Sequence, residues 1–225
     1  MTTESKIYWG AGILSVGILL AAFLMPGDRP NQADLPWHIE HPTADSVSVF
    51  GLTLGVSTPA EAEQRFKELA IPSLFKSPEG VLAAEVFFEQ VNLAGLRSRV
   101  VLTVDIPENE LQGMFERGLR IAGTGSGKKI TLTADDVARL MNTPISSLTY
   151  LPGVRIDEAL FAKRFGKPAQ IIKENKSGTV HWLYPQNGLD ITLSSTEKPL
   201  LQYVVPTEFA KLVNPLLASG VAVTQ

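Results

Sequence analysis

The sequence predicts an α+β chain in which an N-terminal transmembrane helix precedes two related units of helix plus antiparallel sheet. Three observations carry that reading. Residues Ile7 to Met25 form an unbroken uncharged stretch, and at roughly 1.5 Å of rise per residue such a stretch is long enough to cross one bilayer as a helix. From Ser46 onward, short alternating runs are interleaved with capped amphipathic segments. Two stretches about 98 residues apart also share order and letters. They are Leu54-Gly55-Val56 with Glu61-Ala62 and Arg65-Phe66, against Pro152-Gly153-Val154 with Glu158-Ala159 and Arg164-Phe165. The boundaries that follow are a cytoplasmic N-terminus over 1–6, the membrane helix over 7–25 and a Pro-rich spacer over 26–45. The first α+β unit covers 46–145, the second 146–213 and a tail 214–225.

The membrane segment opens on Tyr8 and Trp9, whose amphipathic rings favour the headgroup layer, and Pro26-Gly27 closes it. A cleaved signal peptide fits less well, because no small-x-small pair lies just beyond Met25. A buried core helix is opposed by the apolar character of Ile13 to Met25 on every face. Only Lys6 precedes the segment and only Arg29 follows it closely, so the positive-inside bias is nearly nil. The six residues before it are too few for a domain. The expected topology is therefore a single-pass protein of the bacterial inner membrane, its lipid contact through residues 7–25 and its C-terminal domain in the periplasm. The chain has no cysteine, which excludes disulfides, Cys-based zinc sites and a lipidated N-terminal Cys.

Each later element has a local cause. Pro26, Pro30, Pro36 and Pro42 make 26–45 an extended spacer, with Trp37 expected to dock on its own domain or to lie at the membrane surface. Val47, Val49 and Leu52 to Leu54 read as a first strand. Ser57 or Thr58 caps a helix with Pro59 in its first turn, running to about Leu69. Val81 to Val91 and Arg97 to Ile106 form a hairpin turning through Asn92 to Leu96. Pro107 opens a helix to about Gly118, and Lys129 to Thr133 is a strand ending on the cap of a helix through Asp135, Val137 and Leu140. Asp157 to Phe165 is a helix stopped by Gly166 and Pro168. Strands follow over Gln170 to Lys173, Thr179 to Tyr184, Leu189 to Ser194 and Leu200 to Val205. Thr207 to Leu212 is a last helical turn or two, and the tail from Asn214 frays.

The second copy of the repeat, with Arg164-Phe165-Gly166-Lys167-Pro168, His181-Trp182-Leu183-Tyr184 and Leu189-Asp190-Ile191-Thr192-Leu193, resembles a SmpA/OmlA-type unit. It is also similar to the repeat of β-lactamase-inhibitor-protein-like domains. The resemblance implies a short helix followed by a twisted antiparallel sheet, in an envelope protein that works by binding other proteins. It brings no catalytic residues. The lipidated Cys of SmpA/OmlA proteins is missing here, and the apolar segment would replace it as tether.

No motif carries chemistry. Gly123-Thr124-Gly125-Ser126-Gly127-Lys128-Lys129 fails as a phosphate loop, since Ala122 and Lys129 stand where Gly and Ser or Thr are required, and it reads as a flexible loop. His38-Ile39-Glu40-His41 lies between prolines without further metal ligands. His181 occupies a strand position, on the solvent side or satisfied within the sheet. Asp135-Asp136 and Asp157-Glu158 sit where helix dipoles favour acids. A net charge of −3 with scattered Lys and Arg gives no footprint for nucleic acid. The expectation is a non-enzyme without cofactor, metal or catalytic residues. Its domain binds another protein, with Trp182, Tyr184 and Tyr203 as interaction candidates because aromatics dominate interfaces. A binder of small molecules or cell-wall fragments is the alternative, and an enzyme comes third.

Overall fold

A computed structural model describes residues 31–125 and 127–223. The expected cytoplasmic N-terminus and membrane helix over 1–25 lie outside the described residues. Among those described, no helix is long and apolar enough to cross a membrane. Strands β1 (Ile39–Glu40), β2 (Ser48–Val49) and β3 (Leu52–Thr53) form a small sheet, followed by helix α1 (Pro59–Phe66). Next come β4 (Ile71–Lys76), β5 (Leu82–Leu93), β6 (Leu96–Val104), α2 (Glu108–Glu116), β7 (Arg120–Thr124), β8 (Gly127–Thr131) and α3 (Ala134–Met141). The rest is β9 (Ile145–Pro152), α4 (Glu158–Phe165), β10 (Gln170–Glu174), β11 (Val180–Tyr184), β12 (Leu189–Leu193), β13 (Leu200–Val204), α5 (Phe209–Ser219) and β14 (Gly220–Val223).

Two related units are not what forms. The molecule is mostly one large antiparallel sheet of 11 strands with a few helices, in the order β14-β10-β11-β12-β13-β9-β6-β5-β4-β8-β7. The helix-then-meander pattern does occur twice, α1 before β4 to β6 and α4 before β10 to β13. The meanders are fused because β9 pairs with β6 on one side and β13 on the other, leaving no edge between them. One hydrophobic core accordingly runs from Phe66 and Phe88 to Phe161 and Tyr203.

Strand alternation sorts side chains onto two unlike faces. On the first face, Phe88, Val100, Tyr150, Leu201, Ile191 and Trp182 make one cross-strand row, and all but Trp182 are buried. Helices α1 to α4 and the small sheet supply Ala62, Phe66, Met114, Leu140, Phe161 and Phe50 to the same core. The row behind it runs Phe87, Val101, Thr149, Gln202, Asp190 and Leu183. Its first four members are half-buried. Among the described residues, only α5 is packed on this second face, through Phe209, Leu212, Val213 and Leu216 against Ile172, Leu183 and Val204.

Local chemistry explains the helix ends and the main hairpin. Thr58 and Glu61 form a capping box on α1 with Pro59 in its first turn, Thr133 caps α3, and Asp157 caps α4, which stops at Gly166. Ala94 and Gly95 both take left-handed backbone between β5 and β6, the requirement of a two-residue hairpin turn.

Three further expectations are corrected. The spacer over 26–45 is part of the folded unit from Gln32: Tyr203 donates to the Pro36 carbonyl at 2.7 Å, Arg65 pairs with Asp34, and the Arg164 guanidinium lies 4.9 Å from the Trp37 ring. The prolines limit regular structure here to short pieces such as β1, but they do not prevent side-chain anchorage. The tail does not fray from Asn214, because Leu216 on α5 packs against the sheet and β14 pairs with β10. The stretch read as a flexible loop before Lys129 is a hairpin arm, Arg120 to Thr124 lying antiparallel to Gly127 to Thr131.

Candidate functional site

The interaction candidates Trp182, Tyr184 and Tyr203 lie on the first face of the sheet. Tyr203 is fully buried on the first face and Tyr184 is 6% exposed, its hydroxyl donating to the Gly166 carbonyl at 3.0 Å. Burial alone lifts the Tyr184 phenol to about 12, and burial with the nearby Tyr150 lifts Tyr203 well above its ordinary range. Trp182 is half-buried and packs on the core. Tyr184 and Tyr203 are therefore core groups. Aromatic alternation in a strand identifies a packed face without saying which face remains open.

The second face holds a cluster that the sequence only hinted at. In β11, His181 sits opposite Ile172 of β10 and Thr192 of β12, while Asp190 sits opposite Leu183. His181 and Asp190 are thus diagonal neighbours on one face, 6% and 3% exposed. His181 Nδ1 lies 2.8 Å from Asp190 Oδ2, and Nε2 lies 3.6 Å from Glu174 Oε1. Ser177 holds Glu174 by donating to its carboxylate. Burial disfavours the imidazolium, but the Asp190 hydrogen bond and charge, with Glu174 behind them, reverse this and raise the His181 pKa overall. His181 was expected at a solvent-facing or satisfied strand position, and the structure makes it the centre of a buried ion cluster. The pairing was legible in principle from the turn Pro185 to Gly188, which sets the β11–β12 register.

A general acid or base must touch its substrate. The His181 and Asp190 side chains are 8% and 4% exposed, and three clefts of the domain are lined by other residues, at Arg155 and Glu197, at Gly55 and Thr207, and at Arg97 and Lys198. The cluster's evident chemical work is to hold β10, β11 and β12 together beneath the α5 layer. Among the described residues, no group of three His, Asp or Glu is arranged to hold a metal ion. His38 instead faces Glu40 at 3.2 Å, and His41 faces Asn187 at 3.2 Å.

What remains open is the sheet itself. The half-buried stretch Phe87, Val101, Thr149 and Gln202 lies beyond α5 on the second face. At one end of the sheet, among the described residues, β7 pairs only with β8, and all five of its residues are exposed. At the other end β14 exposes Val221 and Val223. An edge strand presents unpaired N–H and C=O groups, a template for another strand. Comparison with protein-family models, curated proteins and solved structures gave no match to the chain.

Proposed function

We propose that the protein is held at the bacterial inner membrane by residues 7–25 and that its domain, on the periplasmic side, binds another envelope protein. The observation that supports this most directly is the uncovered part of the second face, Phe87, Val101, Thr149 and Gln202, on a sheet whose two ends are open strands. A half-apolar, half-polar face of this kind is typical of surfaces that associate reversibly. The clefts at Arg155, Gly55 and Arg97 contain no aromatic side chain, which weighs against the small-molecule reading, since ligand pockets are mostly apolar and aromatic. The enclosure of His181 weighs against an enzyme. The resemblance of the second half to SmpA/OmlA-type units points the same way.

Two measurements test the proposal. A C-terminal reporter active only outside the cytoplasm is expected to be active, and its silence would reverse the topology. A photo-crosslinking residue at position 101 in intact cells is expected to give a discrete heterologous adduct, whereas the protein alone or its own dimer would remove the second face from the proposal.

A further inference from the structure

The β7 end of the sheet has a chemistry of its own. Its three outermost strands, β4, β8 and β7, carry Lys76, Lys128, Lys129 and Arg120 and not one Asp or Glu. The pairings Ala122↔Lys129 and Gly123↔Lys128 put Lys129 on the second face, with Arg120, and Lys128 on the first face, with Ile121. Lys76 is opposite Lys128 and rests over the Phe115 ring at 4.1 Å. Glu85 on β5 lies on the second face with Lys129 and interacts with its charge. Arg117 is already committed to Asp136. Beside these cations, Ile121 is 52% exposed and Leu119, just before the strand, is 69% exposed.

Backbone and side chains agree on what would complete this end. The outer side of an edge strand offers donors and acceptors to an extended chain. The cations of two such edges repel, which opposes pairing with a second copy of this protein and favours a negatively charged occupant. The exposed Ile121 asks for an apolar residue on the first face, and Arg120 with Lys129 asks for carboxylates on the second. Gly123 has open space around it, so an incoming strand meets no side chain there.

We infer that β7 is a docking edge that takes an extended acidic segment of a partner protein, alternating apolar and acidic residues, as an added strand. This rests on the protein-binding reading above and names the surface and the chemistry of the partner.

The test uses the full chain in detergent solution and two synthetic ten-residue peptides, one alternating valine with glutamate and one alternating valine with lysine. The acidic peptide is expected to bind at least tenfold more tightly, to weaken with added salt, and to slow hydrogen exchange in residues 119–124 but not in 220–223. The double variant R120E/K129E is expected to lose at least tenfold in affinity for it while keeping the unbound exchange pattern of β5 and β6. Equal binding of both peptides, protection confined to β14, or unchanged affinity of the variant would overturn the inference. So would concentration-dependent dimerisation that protects β7, which would make a second copy the occupant. An adduct from position 101 in cells together with no acidic-peptide protection of β7 would leave the protein-binding reading standing and reject this edge alone.

Discussion

His181 Nδ1 and Asp190 Oδ2 stand 2.8 Å apart across the β11–β12 ladder, on the sheet face that α5 covers. A protonated imidazole is favoured there by Asp190 and by Glu174 against the cost of burial. Because the folded pKa is raised, the linked stability is fully present below the unfolded value of about 6.5 and is lost as pH rises through the folded value. Urea midpoints of the full chain are expected to fall between pH 6 and pH 9, and H181Q should flatten that slope. A midpoint that rises over the same range contradicts the assignment. D190N, which takes away the charged acceptor, is expected to cost about 1.5–3 kcal/mol at pH 6.

Acid should act at the other end of the molecule. Asp136 accepts from Arg117 Nε at 2.9 Å and from Thr133 Oγ1 at 2.8 Å. The Arg117 bonds, aided by Thr133 and opposed by burial, hold its carboxyl below the usual range. With a depressed folded pKa the contribution is present above the unfolded value near about 4 and disappears as pH falls through the folded one. D136N is expected to lose stability at pH 7 and to show a shallower acid limb than the parent. Parallel acid limbs in the two proteins would show that this carboxylate does not govern the transition.

Tyr203→Phe isolates one anchor of the chain's N-terminal approach. The hydroxyl is buried and donates to the Pro36 carbonyl at 2.7 Å. Its removal leaves that carbonyl without this donor and is expected to cost about 1 kcal/mol, with faster hydrogen exchange over residues 32–38 and little change in β5 or β6. Uniform loss of protection across the large sheet would mean that the bond supports the global fold instead.

Ala94 is a site for gain. It holds φ of 51° next to Gly95 at 82° in the β5–β6 turn, where a Cβ is strained and Asn-Gly is the favoured pair. Ala94→Asn is expected to raise stability by roughly 0.5–1 kcal/mol, read as a higher urea midpoint with unchanged slope. A lower midpoint would show that the turn's neighbours reject the amide.

Much of the local structure was legible. The cap before Pro59, left between Ser57 and Thr58 by the sequence and given to Thr58 by the structure, the helix from Asp157 with its Gly166 stop, and the turn between β5 and β6 are decided by residues within a few positions of one another, so reading along the chain finds them. Strand β4 was missed because Ile71 to Lys76 lacks alternation strong enough to show, with Pro72 within it and partners from β5 and β8 on either side. The Arg120 to Thr124 arm was hidden by Gly123 and by Gly125 and Gly127 just after it. Of the candidate site, His181 was visible as a strand residue, but its carboxylate partners were not.

By itself, the sequence determined the uncharged segment of residues 7–25, the caps, the hairpin turn and the periodicity of most strands, because these depend on short-range sterics and hydrogen bonding. Only the tertiary structure decided that β9 joins two meanders into one sheet, that Tyr184 and Tyr203 face the core, and that Asp190 meets His181 under α5. Alternation divides a strand into two faces, and which face is buried depends on distant segments that come to cover it. Here those segments are the helices α1 to α4 on one side and the C-terminal α5 on the other.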